Sequence, residues 1–216
     1  MNNSFVFFFA FCAILLSACS NDDDTTPKDI EVANYYALKI GNSWTYDVYR
    51  YDQSSMDYEV EDYKIKGTIT ETQTINGETY FKFESEYIGE GTCEPCLDVI
   101  GNQSVRDSLG YLIDQDGVPL FTKETTDPYL MRAENFGDVF GVFDPTTTSV
   151  ETPSGNVVDL ALNESYVILT DGTIAPGREQ KYYRDSEGLQ VRTISGVNSS
   201  QPWFILTVSE STIIPD

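Results

Sequence analysis

The sequence predicts an all-β fold, in which an antiparallel meander of strands curls into a barrel or a sandwich as a single domain. Runs that alternate between apolar and polar residues recur from Tyr35 onwards, which is typical of half-buried strands. Turn signals made of Gly, Asn and Asp separate these runs. At most one short helix is expected, over residues 128–136.

The first predicted strand follows a turn signal at Gly41-Asn42. Trp44, Tyr46 and Val48 then alternate with polar residues, so we expect these three side chains on one buried face. Further strands are predicted over residues 157–162, 166–170, 179–184, 189–194 and 203–210.

The alternation also selects a loop length for the hairpin around Asn76-Gly77. The apolar positions of its two arms are all odd-numbered: Tyr63, Ile65, Ile69, Phe81, Phe83 and Tyr87. A two-residue loop would set odd positions opposite even ones and split this apolar set between the two faces. A three-residue loop, 75–77, pairs Ile69 with Phe83 and leaves Gly77 in the left-handed region of the backbone.

The same reasoning predicts a shorter loop for the next hairpin. A two-residue loop, Asp116-Gly117, sets Ile113 opposite Leu120 and keeps the apolar residues on one face. Pro119 cannot donate a backbone hydrogen bond to a neighbouring strand. Its strand is therefore expected at an edge of the sheet, or Pro119 is expected at a position that makes no ladder hydrogen bond.

Three segments follow patterns that occur together elsewhere. Residues 35–46 read Tyr-Tyr-Ala-Leu-Lys-Ile-Gly-Asn-Ser-Trp-Thr-Tyr, and this resembles the opening Tyr/Phe-Pro-Leu-x-x-Gly-Asn-x-Trp-x-Tyr of a broad set of uncharacterised secreted bacterial lipoproteins. Ala37 stands where Pro is usual. Residues 151–156 and 182–191 are similar to a Val-Pro-Ala-Gly-Thr-Phe turn and a Tyr-Tyr-Ala-x-Gly-Val-Gly-Leu-Val hairpin of the same set. The resemblance implies a shared β-sheet fold, and it brings no established activity.

The composition excludes several classes of function. The formal net charge is −22, and residues 1–18 carry no charged side chain, so the whole charge lies on residues 19–216. Such an acidic domain is repelled by phosphate backbones and by anionic lipid surfaces, which argues against nucleic-acid binding. The chain contains no histidine. This excludes Ser-His and Cys-His nucleophile pairs and every histidine-ligated metal site.

The N-terminal apolar run ends in a recognisable motif. Residues 5–18 are almost all apolar, but the run is shorter than the roughly 20 residues that a membrane-spanning helix needs. Leu16-Ser17-Ala18-Cys19 resembles the lipobox of bacterial lipoproteins, which implies a signal peptide over residues 1–18 and a lipid on Cys19. The alternative is a short hydrophobic helix with an incidental cysteine.

The segment behind this cysteine is acidic and has no apolar periodicity. We expect residues 19–34 to be a disordered tether and residues 35–216 to form the β domain. Asp22, Asp23 and Asp24 resemble the export signal of Bacteroidetes-type surface lipoproteins. The resemblance implies lipid anchoring at the outer face of the outer membrane. If these acids only extend the linker, the periplasmic face is the alternative location.

Cys93 and Cys96 form the sharpest local motif of the domain. In a secreted chain such a pair is expected to form a disulfide. A thioredoxin-like redox pair would need a βαβ unit, which the flanking residues do not indicate. A zinc site would need two more ligands, and haem attachment would need histidine where Leu97 stands. No cofactor is therefore expected.

Two acidic motifs are weaker. Asp107-Ser108-Leu109 resembles the short acceptor for O-glycosylation in Bacteroidetes-type envelopes, with Ser108 as the modified residue, but the three residues favour a plain strand segment. Residues 114–117 read Asp-Gln-Asp-Gly, like the start of a calcium loop, but the remaining acidic ligands are missing. No metal site is predicted.

These observations favour a non-catalytic, lipid-anchored envelope lipoprotein that acts as a surface binding or accessory module for a protein or glycan. One alternative is a periplasmic carrier of a hydrophobic ligand, which would need a cavity of roughly 300 Å³ or more. The other is a carbohydrate-active enzyme, which would need a cleft with two carboxylates about 5 to 10 Å apart. No spacing selects such a pair, so no catalytic residue is named.

Overall fold

Twelve strands of the computed structural model lie in one antiparallel sheet, and the model describes residues 34–93, 96 and 103–215. In chain order the strands are β1 Ser43–Asp52, β2 Asp57–Ile75, β3 Glu78–Gly89, β4 Ser104–Ser108, β5 Tyr111–Asp114, β6 Pro119–Thr122, β7 Tyr129–Glu134, β8 Gly137–Thr152, β9 Gly155–Leu169, β10 Ile174–Arg184, β11 Gly188–Ser195 and β12 Pro202–Thr212. Among these described residues, no helix has the length and apolar character needed to cross a membrane.

The sheet is nearly closed into a barrel. Its strand order is β6-β5-β4-β3-β2-β1-β12-β11-β10-β9-β8-β7, so the two edges are β6 and β7, which follow each other in the chain. The edges come together where Tyr111 of β5 packs edge-on against Tyr129 of β7, with 6.3 Å between ring centroids. This confirms the all-β prediction and selects the barrel over the sandwich. Pro119 lies in the edge strand β6, as predicted.

The inner face of the sheet holds the main core. Trp44, Tyr46 and Val48 of β1 are buried, as their alternation with polar residues predicts. Tyr46 lies opposite Ile65 of β2, so the inner faces of the two strands meet. Other large buried side chains of this core are Ile69, Phe121, Phe143, Tyr183 and Leu206.

A second apolar layer covers part of the outer face. Arg192 and Leu206 are paired on the inner face, so their neighbours along the strands, Val191 and Ile205, point outward. Tyr182, opposite Val191, points the same way. The side chains of the β8–β9 hairpin that pack over this layer are Val150, Val157 and Leu160. The middle parts of strands β10 to β12 are consequently covered on both faces.

The β2–β3 hairpin has the predicted register but not the predicted loop. Ile69 lies opposite Phe83, as expected, yet the loop contains only Asn76 and Gly77. Both have positive φ, 52° and 86°, which is typical of a type I′ turn. The extra residue is a bulge between Ile69 and Glu71. Beyond the bulge, odd-numbered residues of β2 lie opposite odd-numbered residues of β3, the pairing that a three-residue loop was expected to produce.

The β5–β6 hairpin has a longer loop than the predicted one. Ile113 pairs with Pro119 and not with the predicted Leu120, because the loop has three residues, 115–117. The Asp114 carboxylate accepts two backbone N–H bonds from the turn, at 2.9 and 2.8 Å. This local bonding stabilises the longer loop.

The predicted helix over residues 128–136 is wrong, because Tyr129–Glu134 is strand β7. The window is too short for its periodicity to distinguish a helix from a strand, and pairing with β8 decides it. The two strands predicted over 157–162 and 166–170 are one continuous strand, β9.

Strand β1 is attached across the interior to the β10–β11 turn. Trp44 Nε1 donates a hydrogen bond to the Glu187 carbonyl at 2.6 Å, and the Tyr46 hydroxyl donates one to the Leu189 carbonyl at 3.0 Å. Gly188 lies between these two acceptors with φ of 80°. The first and third of the segments that resemble secreted lipoproteins therefore contact each other directly.

We predict that Gly188→Ala destabilises the domain more than Gly77→Ala. Gly188 and Gly77 have φ of 80° and 86°, so each substitution should cost about 1 to 2 kcal/mol of unfolding free energy from backbone strain. A Cβ at Gly188 would also lie 2.9 Å from the Trp44 ring, whereas nothing lies within 4 Å at Gly77. Overpacking should add about 1 to 3 kcal/mol at Gly188 alone.

The measurement is urea denaturation of both variants. Equal losses at the two sites would mean that the Trp44 indole does not hold this turn.

Candidate functional site

An interior cavity of about 80 Å³ lies beside the attachment of β1 to the β10–β11 turn. Its wall is mainly aromatic and aliphatic and includes Tyr36, Trp44, Tyr46, Phe83, Tyr183 and Leu189. Gln103 and Lys181 supply polar groups to the same wall. An apolar cavity with a few convergent polar groups is the usual form of a small-ligand site.

A charged cluster lies next to this cavity on strands β10 and β11. Lys181 is directly opposite Arg192, and both side chains reach Glu179 on β10. One carboxylate oxygen, Glu179 Oε1, is 2.7 Å from Arg192 Nε and Nη2 and 3.1 Å from Lys181 Nζ. The side chains of Arg192 and Lys181 are only 6% and 13% exposed. The cluster is therefore an interior one and not a surface ion pair.

Burial and the neighbouring charges shift the pKa values of Glu179 and Lys181. Burial by itself would raise the pKa of Glu179, but Lys181 and Arg192 outweigh this effect and lower that pKa to about 2. Burial lowers the pKa of Lys181 from its usual value, although Glu179 opposes the shift. Glu179 therefore stays ionised at neutral pH and is held by two cations. Such a carboxylate is poorly suited to donate or accept a proton in catalysis.

Cys93 and Cys96 form a disulfide, and both residues are buried in the inner core. Their backbone is bonded to the surrounding barrel. The Cys93 N–H donates to the Tyr87 hydroxyl at 3.0 Å, and Arg192 Nη1 donates to the Cys96 carbonyl at 3.3 Å. The disulfide thus packs against the interior of the barrel next to the charged cluster.

The remaining predicted site residues lie elsewhere. Cys19 and the acidic residues 22–24 lie outside the described residues. Ser108 is half-buried at the end of β4. Leu109, which follows it, is 92% exposed with φ of 55°, and Asp107 Oδ1 accepts a bond from the Gly110 N–H at 2.8 Å. Asp107 and Ser108 are thus the last residues of strand β4, as the strand interpretation predicts, and Leu109 begins the turn to β5.

Within the described ranges, no group of three or more Asp, Glu or Cys side chains is arranged to hold a metal ion. The acidic motif over 114–117 forms the β5–β6 loop, where the Asp114 carboxylate bonds to the backbone. A carboxylate bonded in this way is a turn-stabilising group.

Sequence reasoning missed the charged cluster, because the residue pattern of β10 is ambiguous. Glu179, Lys181 and Tyr183 alternate with Gln180 and Tyr182, so both faces of β10 contain polar atoms and periodicity assigns neither face to the interior. The pairing of β10 with β11 and the cover over the outer face are needed to place the charges inside.

We predict that Glu179→Gln costs about 3 to 5 kcal/mol of unfolding free energy at pH 7, because it leaves two buried cations without their carboxylate. Glu71→Gln is the matched control. Glu71 pairs with Lys82 on the outer face and is 60% exposed, so its loss should cost less than about 1 kcal/mol. Urea denaturation of both variants measures the difference.

The pH dependence provides a second readout of Glu179. Its pKa is lower in the folded state, about 2, than in the unfolded chain, so its stabilising contribution is present above about pH 4.5 and is lost as the pH falls towards 2. Wild-type protein should lose this contribution in that window, and Glu179→Gln should not. Parallel pH profiles for the two proteins would contradict the role of the cluster.

We predict that reducing the disulfide costs less stability than removing its sulfur atoms. Reduction leaves both side chains in the core and releases only a very short loop, a cost of about 2 kcal/mol. Cys93→Ala/Cys96→Ala also leaves a cavity among buried side chains and should cost about 2 kcal/mol more.

Denaturation with and without reductant separates these two effects. Intact mass should rise by two hydrogens on reduction of the purified protein. Two free thiols before reduction would contradict the bond, and equal stability losses would contradict its packing in the core.

Comparison with known proteins adds little to this geometry. No family model and no curated protein sequence matches the chain. Among solved structures it is similar to a presumed lipoprotein of Parabacteroides distasonis, with TM-score 0.44 and 9% identity. It is also similar to a presumed exported protein with a YmcC-like fold from Bacteroides fragilis, with TM-score 0.44 and 12% identity. Each alignment covers 84% of this chain and 100% of the other chain. Similarity at this level leaves the function of the chain open.

Proposed function

We propose that this chain is a lipid-anchored, non-catalytic lipoprotein of the cell envelope, whose β domain is a binding or accessory module at the cell surface. The lipid is attached to Cys19, and residues 19–34 form the tether. Support for the anchor comes from the lipobox-like residues 16–19 at the end of a signal-length apolar run. Support for the surface location comes from the acidic residues 22–24.

The tether joins the domain at one end of the barrel. The Asn34 N–H donates to Asp185 Oδ1 at 2.6 Å, and the Ser186 N–H donates to the Asn34 carbonyl at 2.9 Å. Asp185 and Ser186 belong to the β10–β11 turn. The start of β1 and the end of β12 lie at the same end, because Ser43 pairs with Thr212. We call this the tether end.

The opposite end of the barrel exposes apolar side chains, and this observation carries the proposal. Since neighbouring strands are antiparallel, the β1–β2, β7–β8, β9–β10 and β11–β12 connections all lie at that far end. Tyr58 links two of them, since it donates to the Pro202 carbonyl and accepts from Gln201. The exposed apolar residues there are Met56, Phe136, Ile174, Val197 and Trp203.

Exposed aromatic residues and methionine are enriched where proteins bind partners. In the orientation that we propose, the far end faces away from the membrane to which the tether leads. The acidity of the domain favours an uncharged or basic partner, a protein or a glycan, over nucleic acid. The role proposed for this end is therefore contact with such a partner outside the envelope.

Modification of Ser108 is compatible with this orientation. The Tyr36 hydroxyl donates to the Gly110 carbonyl at 2.5 Å, which places the β4–β5 turn near the tether end. A glycan on Ser108 would leave the far end uncovered.

The two alternative functions have less support. The interior cavity of about 80 Å³ is smaller than the roughly 300 Å³ or more of a typical pocket for a drug-sized ligand. Among the described residues, no carboxylate lines its wall, and the nearby Glu179 is held by Arg192 and Lys181. Neither a carrier of bulky hydrophobic ligands nor a glycoside hydrolase is favoured by this interior.

We predict that protease added to intact cells digests the domain of the wild-type protein, in which residues 22–24 are all Asp. Replacing all three by Ala should leave the protein in the membrane fraction but shield it from protease, because the charges that the sorting machinery would read are removed. Cys19→Ser should abolish labelling by fatty acid and release the protein from membranes.

The same cells after permeabilisation are the control, since every variant should then be digested. A shielded wild type, or a triple-Ala variant that stays equally accessible, would contradict the surface location. A Cys19→Ser protein that still partitions with membranes would contradict the anchor.

A further inference from the structure

Lys181 is the cationic side chain in the wall of the interior cavity. It lies on the inner face of β10, and its side chain is 13% exposed. Trp44, Phe83 and Leu189 supply apolar wall, and Gln103 supplies an amide. The cavity thus combines an ammonium group with apolar surface that is large relative to its volume of about 80 Å³.

The hydrogen-bonding capacity of this ammonium exceeds what its neighbours take up. A lysine ammonium has three donors, and Glu179 Oε1 is the acceptor found for it within the described part of the chain. That oxygen also accepts from Arg192 Nε. The hydroxyls of two other wall residues are already committed as donors to backbone carbonyls, Tyr36 to Gly110 and Tyr46 to Leu189. An anionic group entering the cavity would therefore find Lys181 as its partner.

An anion is the ligand class that this geometry fits. A buried ammonium is costly unless its donors are satisfied, and a carboxylate accepts charge-assisted hydrogen bonds that are stronger than those to a neutral acceptor. The volume limits the ligand to a few heavy atoms. The aromatic and leucine wall then favours a short alkyl chain behind the carboxylate.

We propose that the interior cavity is a binding site for short-chain monocarboxylates, with the ligand carboxylate on Lys181 and the alkyl chain against Trp44, Phe83 and Leu189. This inference goes beyond the partner contact proposed above, since the site belongs to the barrel interior and not to the anchor or to the far end.

The experiment titrates the full-length chain, purified in detergent, with sodium butyrate and follows tryptophan fluorescence. The two tryptophans are Trp44, which lines the cavity, and Trp203, which is exposed at the far end. A Trp203→Phe background makes the emission specific for the cavity. Butyramide, which has the same shape without the charge, is the matched ligand control.

Three variants in this background test the assignment. Lys181→Met should weaken butyrate binding about tenfold or more, the loss expected for one charged hydrogen bond. Lys66→Met removes a lysine from the outer face of β2, where it pairs with Glu86, and should bind as wild type. Leu120→Phe reduces the volume of the cavity without altering its charges or adding a tryptophan, and it should weaken butyrate binding.

The proposal is supported by saturable binding of butyrate, weaker binding of butyramide and this order of variants. It is overturned if butyrate produces no saturable change, if butyramide binds equally well, or if Lys181→Met binds as wild type. If Lys181→Met does not fold, Leu120→Phe and the comparison of the two ligands decide. A chain that is shielded on cells but binds butyrate would refute the surface location alone.

Discussion

The pairing of Glu179 with Arg192 and Lys181 constrains the rest of the interior. Three charged side chains from two neighbouring strands lie inside a barrel whose inner face is otherwise mainly apolar. A shift of β10 against β11 by one residue would turn these charges to the other face and break the pairing. Arg192 also bonds to the Cys96 carbonyl, so the position of the disulfide depends on the same side chain. The cluster therefore links strand register to the filling of the core.

The cavity lies between two side chains that are each held by a partner outside it. On one side, Trp44 is held by its hydrogen bond to Glu187. On the other side, Lys181 is held by Glu179. Side chains fixed by hydrogen bonds cannot collapse into a neighbouring space as freely as aliphatic ones. The small ligand site and the stability of the barrel thus have the same physical origin, whereas the proposed partner surface at the far end is independent of both.

Local sequence signals predicted registers better than loops. The pairing of Ile69 with Phe83 follows from the rule that apolar residues share a face, and the whole hairpin contributes to it. Loop length depends on only one or two residues. A bulge near Ile69 compensated for a two-residue loop in one hairpin, and the Asp114 carboxylate stabilised a longer loop in the other. A register can be reached by either combination, so alternation alone does not distinguish them.

The sequence by itself determined the β class, the buried face of β1 and the absence of histidine chemistry, since these depend on period, residue type and composition. It also identified Cys93 and Cys96 as a pair. Only the tertiary structure decided that the sheet closes on itself and that the charges of β10 point inward. Both outcomes depend on contacts between residues far apart in the chain, such as Lys181 with Arg192 and Tyr111 with Tyr129. Local periodicity contains no information about which distant strand covers which face.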